Sequence, residues 1–279
     1  MNIEFVINDY LLAWYLLFNP SVSEEIQTLK ERLWKNYSKQ YMDLQKEKVE
    51  ILKYTHDFIP DDDTVYNLVF TTDEFKKIKK ETEKHRQYLM KMWDQTKKKV
   101  QHELPKILRF PIENKYQVLV VYPELDLVEF LKTNPKKNIV WGKKEDTEDG
   151  LKAIARILFT ILKYEIGNYQ SDNKEIVASV IDLAIMNELY TKVSGQSKYN
   201  EGMKKIFLLK KQIYPYWLMY LGAEDKETLV SYMMRDAFAF DMDSYPIEKK
   251  LKKCDLYGFI DFCCQNQNKI IRLTEINID

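Results

Sequence analysis

Glycine and proline are scarce, with seven and eight residues in a chain of 279. All-β folds and glycine-rich phosphate loops need more turn residues than that, so the shortage favours long helices. No GxGxxG, GxxxxGKS/T or GxSxG occurs, which leaves dinucleotide cradles, P-loops and the α/β-hydrolase nucleophile elbow without support. Cysteine is limited to Cys254, Cys263 and Cys264. An odd number with two adjacent, and no CxxC, is no disulfide framework and points to a reduced intracellular protein. The three histidines are His56, His85 and His102. His102-Glu103 opens like a zinc-protease HExxH, but Lys106 stands where the second histidine belongs and Pro105 lies between. His85 falls on the apolar stripe of its helix and reads as a packed core residue, and His56 falls in a turn. Excess charge is also missing: 43 basic residues cancel 43 acidic ones. There is no global steering toward nucleic acid or an anionic membrane. No apolar run approaches the roughly 20 residues that span a bilayer. Phe5–Phe18 is too short, is interrupted by Asp9, and reads as a buried first helix, not a targeting signal. A soluble, cytoplasmic protein is expected, with no membrane association, no cofactor and no metal site.

Hydrophobic residues make up 45% of the chain, enough to fill the core of one large domain or two intimate ones. Ser21-Val22-Ser23-Glu24 has the spacing of a capping box. From there Ile26, Leu29, Leu33, Tyr37, Tyr41, Leu44, Lys48 and Ile51 step by three or four, which predicts a helix reaching about Tyr54. Phe58-Ile59-Pro60 ends it. Asp61-Asp62-Asp63 then suits a helix N-terminus ahead of Thr64–Phe70, because calcium loops place their oxygens at alternate positions. Thr72-Asp73-Glu74 starts a second long helix, with Phe75, Ile78, Thr82, His85, Leu89, Met92, Thr96 and Val100 on its apolar side. Residues 71–109 carry ten Lys and two Arg against six acids, a local net charge of +6. With Tyr88 and Trp93 among them, this polar face suits an acidic partner, nucleic acid or plain solvation. No recognition-helix or stacking motif accompanies it, which argues against nucleic acid. The two long helices read as an antiparallel hairpin.

Tyr116–Tyr122 and Asn138–Gly142 read as short strands. Asp146-Thr147-Glu148-Asp149 then starts a helix, and the two densest apolar segments follow, Gly150–Gly167 and Lys174–Gly195, each ending on a glycine stop. These form the expected central hairpin. Tyr199–Ile213 follows, with Ile206, Leu209 and Ile213 on one side, and Tyr214-Pro215 is expected to break it. Further helical segments are expected over Thr228–Phe240, about 247–254 and 256–265. The fold class is mainly α with a small β-element (α+β): a long N-terminal helical hairpin followed by a helical core. Residues 1–110 form the N-terminal helical region, and 111–279 the β-element and helical core, packed with the first as one compact unit.

Carboxylates carry what chemistry remains. Glu175, Asp182 and Leu189 are seven apart and share a helix face, and Asp182 sits among Ile181, Leu183, Ile185 and Met186. Burying such a charge unpaired costs several kcal/mol, so Asp182 has a partner, is protonated, or works. Arg156, which interrupts the apolar run Ala155–Phe159, is the expected partner in a structural ion pair across the central helices. The alternative is that both side chains snorkel to solvent.

A long helical region, strands at Tyr116–Tyr122 and Asn138–Gly142, then two apolar helices resembles the catalytic half of zincin-like metallopeptidases. The resemblance covers roughly residues 111–195 and rests on topology and hydropathy. It implies a helix carrying HExxH and a following helix supplying a third ligand. Placed on it, Ala155 and Phe159 take the two histidine positions, Arg156 takes that of the general-base Glu, and Glu175 or Asp182 stands near the third ligand. The resemblance therefore implies a degenerate scaffold with the motif lost. The expected function is a non-catalytic intracellular binding or regulatory protein with a protein or peptide partner. The competing expectation is a metal-dependent, peptidase-like hydrolase with Glu175 and Asp182 as its catalytic candidates.

Overall fold

The structure is a computed structural model that describes residues 1–19, 24–112, 115–130, 137–144, 149–166, 173–197, 204–240 and 253–270. Among the described residues the chain is mainly helical with one small four-stranded sheet. It divides into two compact units: residues 1–92 with 113–148, and residues 93–112 with 149–279. The sheet thus belongs with the N-terminal helices, whereas the sequence grouped it with the C-terminal core.

In the first unit the chain starts as a strand, β1 (Asn2–Val6), before α1 (Asp9–Phe18). The apolar run from Phe5 is therefore two elements rather than one helix. Asn8 separates them by accepting the Leu11 N–H at 2.8 Å as N-cap. Helix α2 (Glu24–Tyr54) matches the predicted heptad-like stripe and kinks at Tyr37, where the backbone leaves helical dihedrals. The capping box proposed at Ser21–Glu24 falls largely outside the described residues. In α3 (Thr64–Phe70), Asp62 Oδ1 accepts the Thr64 N–H at 2.9 Å, so the acidic run does serve the helix start. Helix α4 (Asp73–Leu108) belongs to this unit up to Met92, and its remainder, continuous through Pro105, to the second.

α2 and α4 do not form an antiparallel hairpin. Glu25, in the first turn of α2, accepts the backbone N–H of Glu74 in the first turn of α4 at 3.2 Å, so like ends meet. An antiparallel pair would bring Tyr54 to Asp73 instead. Leu12, Leu16, Leu33, Ile51, Val69, Phe75, Leu119 and Val140 share one buried core.

The sheet contains β2 (Lys115–Val120), β3 (Leu127–Phe130) and β4 (Asn138–Gly142), in the order β1-β2-β4-β3. β1 and β4 both run parallel to β2, and β3 pairs antiparallel to β4 at the edge. Every residue of β4 is buried, as expected of a strand covered on both faces. Gly142 permits a close crossing, because a Cβ there would lie 2.6 Å from Val121 Cγ2 and 3.0 Å from the Tyr122 carbonyl. Two buried amides tie the sheet end of the unit to the end of α2. Asn138 Nδ2 donates to the Leu52 carbonyl and Asn8 Nδ2 to the Thr55 carbonyl, both at 2.6 Å. Carbonyls at a helix C-terminus lack partners of their own, so these bonds close the last turn. Thr55 itself has φ +55°, which is strained for a β-branched residue.

In the second unit α5 (Gly150–Glu165) starts at Asp149, whose side chain accepts the Lys152 N–H. The next segment is one helical rod in three parts: α6 (Lys174–Asp182), a π-helical stretch over Leu183–Leu189, and α7 (Tyr190–Ser194). It stops at Gly195 with φ +80°, the expected left-handed cap. Helix α8 (Lys204–Leu221) runs through Pro215, where a break was expected. Helices α9 (Lys226–Arg235), α10 (Leu256–Gln265) and α11 (Gln267–Ile270) follow. Most of the segment expected to be helical over 247–254 falls outside the described residues. No described helix is long and apolar enough to cross a membrane.

Candidate functional site

The central rod of the second unit concentrates the buried polar groups. α5 packs on α6 and on the π-helical stretch, and α8 packs on α6 from another side. At the end of α6, Asp182 is buried and Lys210 Nζ of α8 lies 2.5 Å from its Oδ1. Lys210 itself is fully buried. Burial pushes the Asp182 carboxyl above its usual value, and the ammonium of Lys210 opposes that shift. The ion pair of Asp182 is thus made with Lys210, not with Arg156. Arg156 lies partly buried on α5, and its carbonyl accepts the Thr160 hydroxyl.

Glu175 and Asp182 are not brought together at a site. Glu175 lies exposed in the first turn of α6, two turns from the buried Asp182. A shared helix face did not give a shared environment, because only the C-terminal end of α6 meets the Lys210 side chain.

One turn beyond Asp182, the π-helical stretch places Asn187 and Glu188 in the interior, both at 1% exposure or less. A π-turn widens the helix by one residue and re-aims side chains, which is why such turns recur at functional sites. Here they face α9 and its cap residue Asp236. Asp236 is saturated: Arg235 Nε and Nη2 donate to its two oxygens at 2.9 and 2.8 Å, Tyr214 Oη donates at 2.7 Å and Asn187 Nδ2 at 3.1 Å. Ser197 Oγ sits 2.7 Å from Asp236 and 2.9 Å from Asn187 Oδ1. Burial favours the neutral acid. The bonds from Arg235, Tyr214 and Ser197 outweigh it and hold the Asp236 carboxyl below the usual range. Arg235 also reaches Glu188, with Nη1 at 2.8 Å from Oε2, an ion pair whose angle is poor for a hydrogen bond. Lys192 Nζ stands 3.5 Å from the other Glu188 oxygen. Among the described residues two carboxylates therefore meet two cations, and the cluster is neutral, with Lys192 at its exposed edge.

Two further anchors fix the same unit. Tyr190 Oη donates to Asp149, at 2.7 Å from each carboxylate oxygen, tying α7 to the start of α5. Arg109, at the end of α4 with φ +61°, donates to the carbonyls of Cys254 and Tyr220 and lies 4.2 Å over the Tyr220 ring. The cysteines carry no disulfide, and burial raises the thiols of Cys254, Cys263 and Cys264 away from reactivity. Among the described residues, no three His, Cys, Asp or Glu side chains converge as a metal ion requires.

Lys210, Asn187, Glu188, Arg235 and Asp236 were not singled out from the sequence. A signal existed for Lys210: it stands four residues after Ile206 and three before Ile213, inside the apolar stripe of α8. No family model matches the chain, no curated protein matches it, and no solved structure matches it.

Proposed function

We propose that the protein is a non-catalytic intracellular binding or regulatory protein whose partner is a protein or peptide. Its scaffold is similar to a degenerate zincin-like peptidase in the order of its elements. The observation that carries this reading is the state of the central carboxylates. Asp182 is committed to Lys210, Glu188 to Arg235 and Lys192, and Asp236 to Arg235, Tyr214, Ser197 and Asn187. A general base or a metal ligand needs a carboxylate with a lone pair free toward substrate. Groups paired with cations inside the fold instead fix helix packing, with Glu188 Oε2 held by ion pairing alone.

Incubating the purified protein with an unstructured polypeptide and a panel of divalent ions tests this, with products followed by mass spectrometry. No cleavage is expected. Cleavage that disappears in Glu175→Gln or Asp182→Asn, with the fold retained by circular dichroism, contradicts the proposal.

A further inference from the structure

Helix α4 carries lysines on a strict seven-residue spacing within the first unit: Lys77, Lys84 and Lys91, with Lys80 beside them. All four are exposed, and none has an ion-pair partner among the described residues. The other cations of this stretch are committed: Lys76 to Asp73, Lys79 to Asp9 and Arg86 to Glu83. Seven residues are two turns and turn back by only about 20°, so the three lysines form a stripe with a repeat of about 10.5 Å. Phe75, Ile78 and Leu89, on the opposite side, are buried in the core, so the stripe is the solvent face of a firmly held helix. Tyr88, partly exposed, lies four residues after Lys84 and three before Lys91 on the same stripe. It offers an amphipathic contact between two charges.

We infer that this face is a docking surface for an acidic helical segment of a partner protein, with carboxylates repeating every seven residues. This rests on the proposed binding function and names its surface and partner chemistry. Charge complementarity requires an anion, and the repeat selects among anions. A helix with acids seven apart has the same rise of about 10.5 Å and sets one carboxylate opposite each lysine. Duplex DNA presents a charge about every 1.7 Å of its axis, a density that lysines this far apart do not match. The stripe has no arginine fork for base edges, and Trp93, two residues beyond Lys91, is buried at 3% exposure, which leaves Tyr88 as the one aromatic of the stripe and no series of rings for successive bases. The contacts lie at the surface, so docking is salt-sensitive, with Tyr88 providing what apolar contact there is.

The test uses two labelled synthetic Ala-rich helical peptides of one composition, one with Glu every seventh residue and one with the same Glu scattered around the helix. A duplex oligonucleotide serves as the third probe. Binding is read by fluorescence anisotropy at about 50 mM and about 200 mM salt. The register-matched peptide is expected to bind about tenfold tighter than the scattered one, a difference of about 1.4 kcal/mol. The variant Lys77→Gln/Lys84→Gln/Lys91→Gln, which alters exposed side chains only, is expected to lose that advantage. Equal binding of the two peptides, or an unchanged triple variant, overturns the inference. So does an oligonucleotide that binds tighter than either peptide and is lost in the same variant. Recovering the peptide separates this from the underlying reading: a cleaved peptide overturns the non-catalytic function, while absent binding with an intact peptide overturns only the docking surface.

Discussion

Replacing Lys210 by Met keeps most of the length of a side chain that is fully buried in α8 and removes the ammonium 2.5 Å from Asp182. Asp182 is then left as a buried carboxylate without that counter-charge. Breaking a buried pair from one side costs about 3–5 kcal/mol. At about 2–4 °C per kcal/mol for a chain of this size, the melting temperature is expected to fall by roughly 10 °C at neutral pH. The loss has a direction in pH. Burial already holds the folded Asp182 above its unfolded value, and Lys210 is the group that lowers it. Without Lys210 the folded carboxyl rises further, so the folded state keeps its proton over a pH range where the unfolded chain has released it. Stability then falls as pH rises through that range, and the deficit against wild type is smallest near pH 4 and largest near pH 7. Urea titrations at several pH values read this slope directly. The double variant Lys210→Met/Asp182→Leu removes both charges and is expected to recover most of the loss, as apolar replacements of buried pairs do. A deficit that grows on acidification, or a double variant no better than Lys210→Met, refutes the assignment of this pair.

Other perturbations have equally definite outcomes. Arg235→Met strips a cation from both Glu188 and Asp236 and should cost at least about 3 kcal/mol in a denaturant titration. Asn8→Ala removes the cap of α1 and the donor to the Thr55 carbonyl, and is expected to cost about 1–3 kcal/mol, read as a drop in urea midpoint. Burial lowers the imidazole of His85 to about 4, below its unfolded value of 6.5. As pH falls from 6.5 toward 4 the unfolded chain takes a proton that the folded one refuses, so up to about 3 kcal/mol of stability is lost across that window. His85→Gln should flatten that part of the stability–pH curve. Gly142→Ala forces a Cβ against Val121 and the Tyr122 carbonyl, and thermal melting should show a loss of about 1–3 kcal/mol.

Much of the helical architecture was legible because it is written in periodicity. α2 and α4 follow their apolar stripes, except that Trp93, expected on the polar face of α4, is buried; Asn138–Gly142 is the strand it was expected to be, and Gly195 stops the central rod. What escaped depends on contacts distant in sequence. β1 was hidden because Phe5 and Val6 run into the apolar residues of α1, and Asn8, a good cap type, was the available warning. β3 is four residues with Glu129 among them, too short for alternation to show, and exists because β4 offers it an edge. Pro105 and Pro215 look like helix breakers by local cost, yet α4 and α8 pass through both. For Asp182 the sequence points to Arg156 on the neighbouring apolar helix, where it interrupts the pattern. Lys210 interrupts α8 in the same way, and only the packing of α8 on α6 decides between the two. The π-helical stretch, and with it the cluster of Asn187, Glu188, Arg235 and Asp236, has no local signature, since these residues are brought together by the meeting of the rod with α8 and α9.

The question at the centre of the functional proposal is whether the buried carboxylates of the central rod are committed to side chains of this chain or are available to a metal. Elemental analysis of the protein, purified without chelators and then equilibrated with Zn²⁺ and Mn²⁺ before desalting, answers it. Substoichiometric metal is expected, unchanged in Glu175→Gln and Asp182→Asn. One equivalent of a retained divalent ion, lost in either variant, contradicts the proposal.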